Sequence, residues 1–479
     1  MKERNAIRNH PALFFVMVIC IFLGFFWIAR SIFLSHAVVQ FTKDMNTFRG
    51  ILANLPTNLP REDTIGSYAF AFKDYHSHLP RSIASNANGY AFFLAILFSL
   101  FLPFQLLHEQ SLKNKKIKII KKTSAYFFIL ALGLAARLFF AYHFTGNYDI
   151  VSWYLNRDIL EYGKNIYAIT SRYNYTPIWF SIIYFLGIVS LLFPQFPFMF
   201  VIRSFLSIVD LITAWVLFKI AKRINLSPVK AVALFFLNPI SIIITGYHGQ
   251  FENLSVLFLL LAIYFCLRND KKVKTFVWFF LTMGLLIKHV VINQVLGMFM
   301  NIERSWKKAI ILFFLALIFF LLTFVPYWKE GAQGIVDNVF LYSGGMSASY
   351  GLISFEFAPV GTLIHKYMFI LAMFLFAFFF RAKNIIRVAL VNLLFFFVFT
   401  SGLSAQQMVL PIALGALIPT NAFYLYTLIT SLFLFGDINE LKIRLFESYN
   451  WNCVWICALV WFVVELIKSK RSSLSAVYD

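Results

Sequence analysis

Charge is scarce in this chain. Asp, Glu, Lys and Arg make up 13% of its 479 residues, about half of the ~25% usual in soluble domains. Acids are the scarcer sign, 21 against 42 basic residues. Cysteine is also rare. Cys20, Cys266, Cys453 and Cys457 lie in or beside apolar runs without metal-ligand or dithiol spacing, which excludes a zinc module or a redox pair. Cys453 and Cys457 stand one helical turn apart, a packing arrangement. There is no P-loop, no zinc motif and no Asp-x-Asp pair. A nucleotide diphosphate usually needs a metal or a Gly-rich cradle, so these absences point away from a nucleotide-diphosphate ligand. No internal repeat and no low-complexity linker is evident, which counts against a repeat-built transporter.

Hydrocarbon is what the chain has instead: 60% hydrophobic residues, 19% aromatics and a mean hydropathy of +0.76. Apolar runs near the length of a bilayer-spanning helix recur from end to end, Leu13 to Ala29 and Ile310 to Val325 among them. The composition predicts an all-α integral membrane protein. A formal net charge of +21 raises nucleic acid as a partner, but its distribution argues otherwise. Lys and Arg sit in short clusters between apolar runs, as at Lys113 to Lys122, Arg268 to Lys274 and Arg304/Lys307/Lys308. Cytoplasmic loops carry that pattern, so topology accounts for the charge. The first apolar segment is longer than a signal-peptide core and lacks a clean small-residue cleavage site, so it reads as a retained anchor.

Taking the basic clusters as cytoplasmic gives about 12–13 crossings. Residues 1–115 form an N-terminal membrane hairpin with an outer loop; Asp63, Asp74 and His76 in that loop read as surface. Residues 116–302 form a core with an outer loop at 145–197, and 303–479 form C-terminal helices with an outer loop at 327–357. Ile178 to Phe193 is apolar but lacks basic flanks, which predicts a re-entrant or interfacial helix. Residues 275–302 are too few for two crossings and predict two short helices meeting at Lys288–Asn293. The polar, non-basic segments all fall on the outer side.

Chemistry concentrates in GNYDIVSWYLNRDILEYGKNIYAITSRYNYTP, Gly146 to Pro177. Asp149, just after a spanning helix, is a candidate general base, against the bland reading of a capping or solvated acid. Asp158 and Glu161 read as exposed positions of an amphipathic helix. A second polar stretch, GYHGQFENL from Gly246, gathers His248, Gln250 and Glu252 at an expected outer helix end as candidate binding or loop-holding groups. Lys288 is a candidate phosphate cation, because an ammonium between two short apolar helices is costly without a role; a snorkelling lysine is its bland counterpart. Arg203 and Asp210 fall on one helix face and read as a buried ion pair, with phosphate binding a second role for Arg203. The outer loop at 327–357 mixes Gly, Ser and aromatics, as a closing loop or a passive connector would.

The aspartate after a core helix, then Gly163, Asn165-Ile166-Tyr167 and Tyr173-Asn174-Tyr175-Thr176-Pro177, with Val209-Asp210-Leu211 further on, resembles the GT-C superfamily of integral membrane glycosyltransferases. Asn238-Pro239 followed by Gly246 to Leu254 is similar to that family's Asn-Pro and His-Gly-Gln-x-Asp signature, with Glu252 in place of the usual Asp. The likeness is nearest to enzymes that add mannose to GPI precursors and to their bacterial relatives. It covers 123–300 well, 300–465 as a general helical pattern, and 1–115 not at all. Ser404 to Gln407 resembles a late outer-face element of the family.

The resemblance implies a GT-C fold and an inverting hexosyltransferase, with mannose favoured. It would use a polyprenyl-phosphate sugar donor and a glycan or lipid-linked acceptor on the non-cytoplasmic face. Asp149 would be the base, Lys288 the phosphate cation, and His248, Gln250, Glu252, Tyr175 and Arg203 substrate-side residues. No cofactor and no nucleic acid are expected, and divalent-metal dependence stays open. The membrane would be the plasma membrane in a prokaryote or the endoplasmic reticulum in a eukaryote. A lipid-linked sugar flippase, with functional polar residues near the bilayer centre, is one rival. A polymerase or ligase using a lipid-diphosphate donor and leaning on outer-loop arginines is another; the outer loop at 327–357 contains none.

Overall fold

The computed structural model describes residue 23 and residues 117–474, except 145, 147, 194–195, 269–272, 304, 342–358, 383, 401–403 and 437–450. The expected N-terminal hairpin and the tip of the expected outer loop at 327–357 therefore lie outside the described residues. All regular structure among the described residues is helical.

Helix α1, Ile117–His143, leads to α2, Tyr148–Glu161, a short turn of helix α3, Ile166–Ile169, and α4, Pro177–Leu192. The long α5, Phe198–Arg223, follows. Next come α6, Pro228–Phe236, and α7, Pro239–Gly246, two pieces of one broken helix bent by 50°. The break has a local cause: Pro239 has no N–H to give, and the Asn238 side chain caps the second piece by accepting from Ile240 N at 3.1 Å. Then come α8, Glu252–Cys266, and α9, Val273–Ile287. Lys288 is extended (φ −147°, ψ 112°), followed by the 3-10 turn His289–Val291 and α10, Ile292–Ile302. This is the expected meeting of two short helices.

Trp306–Leu322 is α11, and the expected outer loop beyond it begins as helix instead. A 3-10 turn at Val325–Tyr327, α12 at Trp328–Ile335 and a π turn at Val336–Phe340 carry the chain forward. The reason is a small buried face, Gly331, Gly334 and Ile335. At Gly331 even a Cβ would meet Tyr167 Cβ at 2.8 Å, so α12 lies directly on α3. The remaining helices are α13, Pro359–Phe379; α14, Ile385–Phe399; α15, Ile412–Leu417; α16, Asn421–Gly436; and α17, Trp451–Leu474.

Ala125–His143, Phe198–Arg223 and Trp306–Phe340 are long and apolar enough to cross a membrane, and the bent α6–α7 pair qualifies as a fourth span. Large apolar side chains such as Phe128, Leu132 and Phe139 on α1, and Ile311, Phe314 and Leu322 on α11, point outward. The chain is an α-helical membrane protein. Helices α4, α8, α9, α14 and α16 run 15–16 residues; fifteen residues rise only about 22 Å, short of the ~30 Å hydrocarbon layer. By length and composition, three or four spans are present among the described residues, and the count expected for the whole chain extends to residues outside them.

Buried charge holds these helices together. Arg137 of α1 donates from Nε to Asp210 of α5 at 2.8 Å, to the Gly133 and Phe236 carbonyls, and to Ser241 Oγ. Asp210 also accepts from Thr245 Oγ1 at 2.9 Å and Asn253 Nδ2 at 2.8 Å. The network thus joins α1, α5, α7 and α8, and its arginine and aspartate are fully buried. The expected link between Arg203 and Asp210 is absent. Seven residues separate them by about 10 Å along the helix, so they share a face without touching.

Removing one partner of such a pair strands a charge, at a cost of about 3–5 kcal/mol. Arg137→Met should lower the thermal midpoint in detergent accordingly, and Arg137→Met combined with Asp210→Asn should recover much of the loss. An additive double variant would show that the two residues do not stabilise the bundle as a pair.

Candidate functional site

The site is assembled around the start of α2. Gly146 precedes it in the left-handed region (φ +92°), and a Cβ there would overlap the Arg203 guanidinium. Arg203 explains the crowding. It donates to the carbonyls of Phe144 at 2.8 Å, Ala141 at 3.3 Å and Tyr247 at 2.5 Å. It therefore clasps the C-terminal end of α1 to the turn after α7. Fully buried on backbone carbonyls, Arg203 is a structural residue here, and the phosphate role is not supported by its position.

Asp149, in the first turn of α2, keeps 30% of its side chain exposed and stands 4.0 Å from the equally exposed Arg172. Arg172 is held in turn: its Nε donates to Ser152 Oγ, and its backbone N–H to Thr170 Oγ1, both at 3.1 Å. One helical turn beyond Asp149, the Trp153 indole donates to the Gly249 carbonyl at 3.0 Å. That bond ties the two polar sequence stretches together.

Aromatic packing completes the junction. Trp179 stacks on Phe251 at 3.9 Å between ring centres. Trp153 meets Tyr175, Trp179 and Phe251 at 5.6–5.9 Å. The Lys288 ammonium lies over the Phe251 ring at 4.7 Å and the Tyr175 ring at 5.1 Å, a cation–π cage, and it pairs with Glu252. Both members are buried, with side-chain exposures of 5% and 0%. Asp149 is close enough to repel Glu252 electrostatically. Glu252 Oε2 has no hydrogen-bond partner among the described residues.

The structure thus brings Asp149, Tyr175, Glu252 and Lys288 together, although 139 positions separate the first from the last. Tyr175 is mostly buried in the aromatic cluster. Lys288 is committed to Glu252. The neighbouring tyrosines are scaffolding: Tyr167 donates to the Tyr175 carbonyl at 2.8 Å, and Tyr173 to the Thr176 carbonyl at 2.5 Å. Burial raises the Tyr173 phenol well above the usual tyrosine range, so it stays a donor. Thr176 Oγ1 donates to the Leu286 carbonyl, fixing the turn to the last turn of α9.

His248 and Gln250 are buried beside the clasp. Gln250 finds no partner for its amide among the described residues, an open demand for a polar group. Burial, and then the Arg203 charge, push the His248 imidazole down to about 3, so it is neutral near pH 7. Asp158 and Glu161 depart from the expected exposed face. Asp158 is buried and accepts from Arg157 Nε at 2.6 Å; Glu161 pairs with Arg157 at 3.6 Å. Arg157 makes that burial tolerable, with its guanidinium 5.0 Å from both the Tyr154 and Phe198 ring centres. Ser404 caps the 3-10 turn Ala405–Val409 with Gln407, a structural role.

Two residues went unrecognised in the sequence. Trp153 was signalled by its i+4 spacing from Asp149. Arg172 was signalled by its place directly before Tyr173, one of three cations in an otherwise acidic and aromatic stretch. No protein-family profile matches the chain, and no curated protein matches it. The functional reading therefore rests on residues and geometry.

The His248 shift has a sign that can be tested. Below its ordinary value of 6.5 the unfolded chain takes up a proton that the folded state refuses down to about 3. Stability should therefore fall as pH drops through this window, by about 2 kcal/mol at pH 5. Thermal midpoints from pH 7.5 to 5 should show that slope, and His248→Gln should flatten it. An unchanged slope would mean His248 is accessible to protons.

Proposed function

We propose that the chain is a GT-C glycosyltransferase that moves a hexose, mannose by preference, from a polyprenyl monophosphate to an acceptor hydroxyl with inversion. One observation carries this reading. A partly exposed carboxylate, Asp149, stands beside the buried junction where the two family-like motifs meet the Glu252–Lys288 pair. A partly exposed base with an arginine beside it suits attack on a glycosyl phosphate.

The step needs few groups. The acceptor O–H gives its proton to an Asp149 carboxylate oxygen as its own oxygen bonds to the anomeric carbon. The bond from that carbon to the phosphate oxygen breaks, and its electron pair leaves with the polyprenyl phosphate. Attack from the face opposite the phosphate inverts the centre. A phosphate monoester is a good leaving group, so no acid is required, and positive charge near it stabilises the transition state. In this proposal Trp153 and the clasping Arg203 hold the loop so that Asp149 keeps its aim, and Gln250 offers its amide to a sugar hydroxyl. The acceptor is a glycan or lipid-linked molecule, and in this reading the site faces the non-cytoplasmic side of the plasma or endoplasmic-reticulum membrane.

The test is transfer by purified protein from synthetic polyprenyl-phosphate mannose or glucose. Asp149→Asn should lower kcat by about 10²–10⁴ with the thermal midpoint retained, whereas Asp158→Asn should act mainly on stability. Undiminished turnover in Asp149→Asn would take that residue out of the chemistry.

A further inference from the structure

We propose that Arg172 is the phosphate hook of this site and restrains Asp149 until a lipid phosphate draws it away. The inference deepens the transferase reading and rests on Asp149 as its base. Geometry separates Arg172 from three buried cations near it. Arg203 is fully buried on three backbone carbonyls. Arg157 is buried between Asp158 and Glu161. Lys288 is buried against Glu252 under two aromatic rings. Of these four, Arg172 keeps 30% of its side chain exposed, 4.0 Å from an equally exposed carboxylate.

An exposed pair at that separation is weak. The donor's phosphodiester offers the guanidinium two non-bridging oxygens, a forked, two-bond partner, and the monoester released after transfer carries greater charge than a carboxylate. The Nε bond to Ser152 anchors the head, so Nη2, which faces Asp149, can exchange the carboxylate for a phosphate oxygen. No proton moves and no covalent bond changes in this exchange. Donor arrival would bring the Arg172 charge to the departing phosphate and relieve Asp149 of it, making the carboxylate a better proton acceptor. The donor would then bind before the acceptor, and the empty site would not activate water.

The experiment is equilibrium binding of farnesyl monophosphate to the full-length protein in nanodiscs of neutral lipid, with farnesol and inorganic phosphate as parallel arms. Arg172→Gln should weaken binding about tenfold, Arg172→Lys less, and farnesol should not respond to either. Asp149→Asn should tighten binding several-fold when Arg172 is present and leave it unchanged in the Arg172→Gln background, the coupling expected of an exchange. Equal tightening in both backgrounds would reduce Asp149 to simple repulsion and overturn the exchange. Wild-type affinity in both Arg172 variants would overturn the hook. Inorganic phosphate binding as tightly as the probe would overturn a lipid-linked ligand. If Asp149-dependent transfer persists while the coupling is absent, the hook alone fails. If the coupling holds in a protein that transfers sugar from no polyprenyl-phosphate donor, the transferase reading alone fails.

Discussion

Charge taken out of water must meet an opposite charge or a full set of dipoles, and that requirement organises this protein. Arg137 meets Asp210, Arg157 meets Asp158, and Lys288 meets Glu252, each across or beside a helix junction. Arg203 meets carbonyls at the end of α1 and after α7. Apolar helices slide on one another with little preference for register; a buried charge does not. The Arg137–Asp210 network fixes α1, α5, α7 and α8 at one depth. The Glu252–Lys288 pair then sets the start of α8 against the break between α9 and α10.

Against that background Asp149 and Arg172 stand out because, among the described ion pairs, theirs has both members partly exposed. Their neighbours are locked by burial, and these two keep access to water. Locked neighbours beside an accessible pair would suit the proposed acceptor activation: position comes from the scaffold, and charge could still redistribute around an anion. The aromatic cluster serves the scaffold. Trp179, Phe251 and Trp153 pack against one another and leave Lys288 caged, so sugar stacking on these faces would require them to separate.

Much of the fold was legible because its causes are local. Asn238-Pro239 announces a break with its own cap, and the polar Lys288–Asn293 stretch interrupts an apolar run too short for two crossings. The α12 segment was misjudged because its helix depends on one close approach, Gly331 on Tyr167, that lies between distant parts of the chain. Asp158 was misjudged for a related reason. An aspartate in a mildly apolar helix reads as exposed unless its arginine partner is known to be buried with it.

The amino-acid sequence by itself determined that this is a helical membrane protein and marked Asp149, the His-Gly-Gln turn and Lys288 as its uncommon groups, because hydropathy and helix-breaking chemistry act over a few residues. Tertiary structure decided which charges are locked and which can respond. It paired Asp210 with Arg137 and not with Arg203, committed Lys288 to Glu252, and set Arg172 beside Asp149. Ion pairing depends on distances of a few ångströms between residues tens of positions apart, and only packing sets those distances.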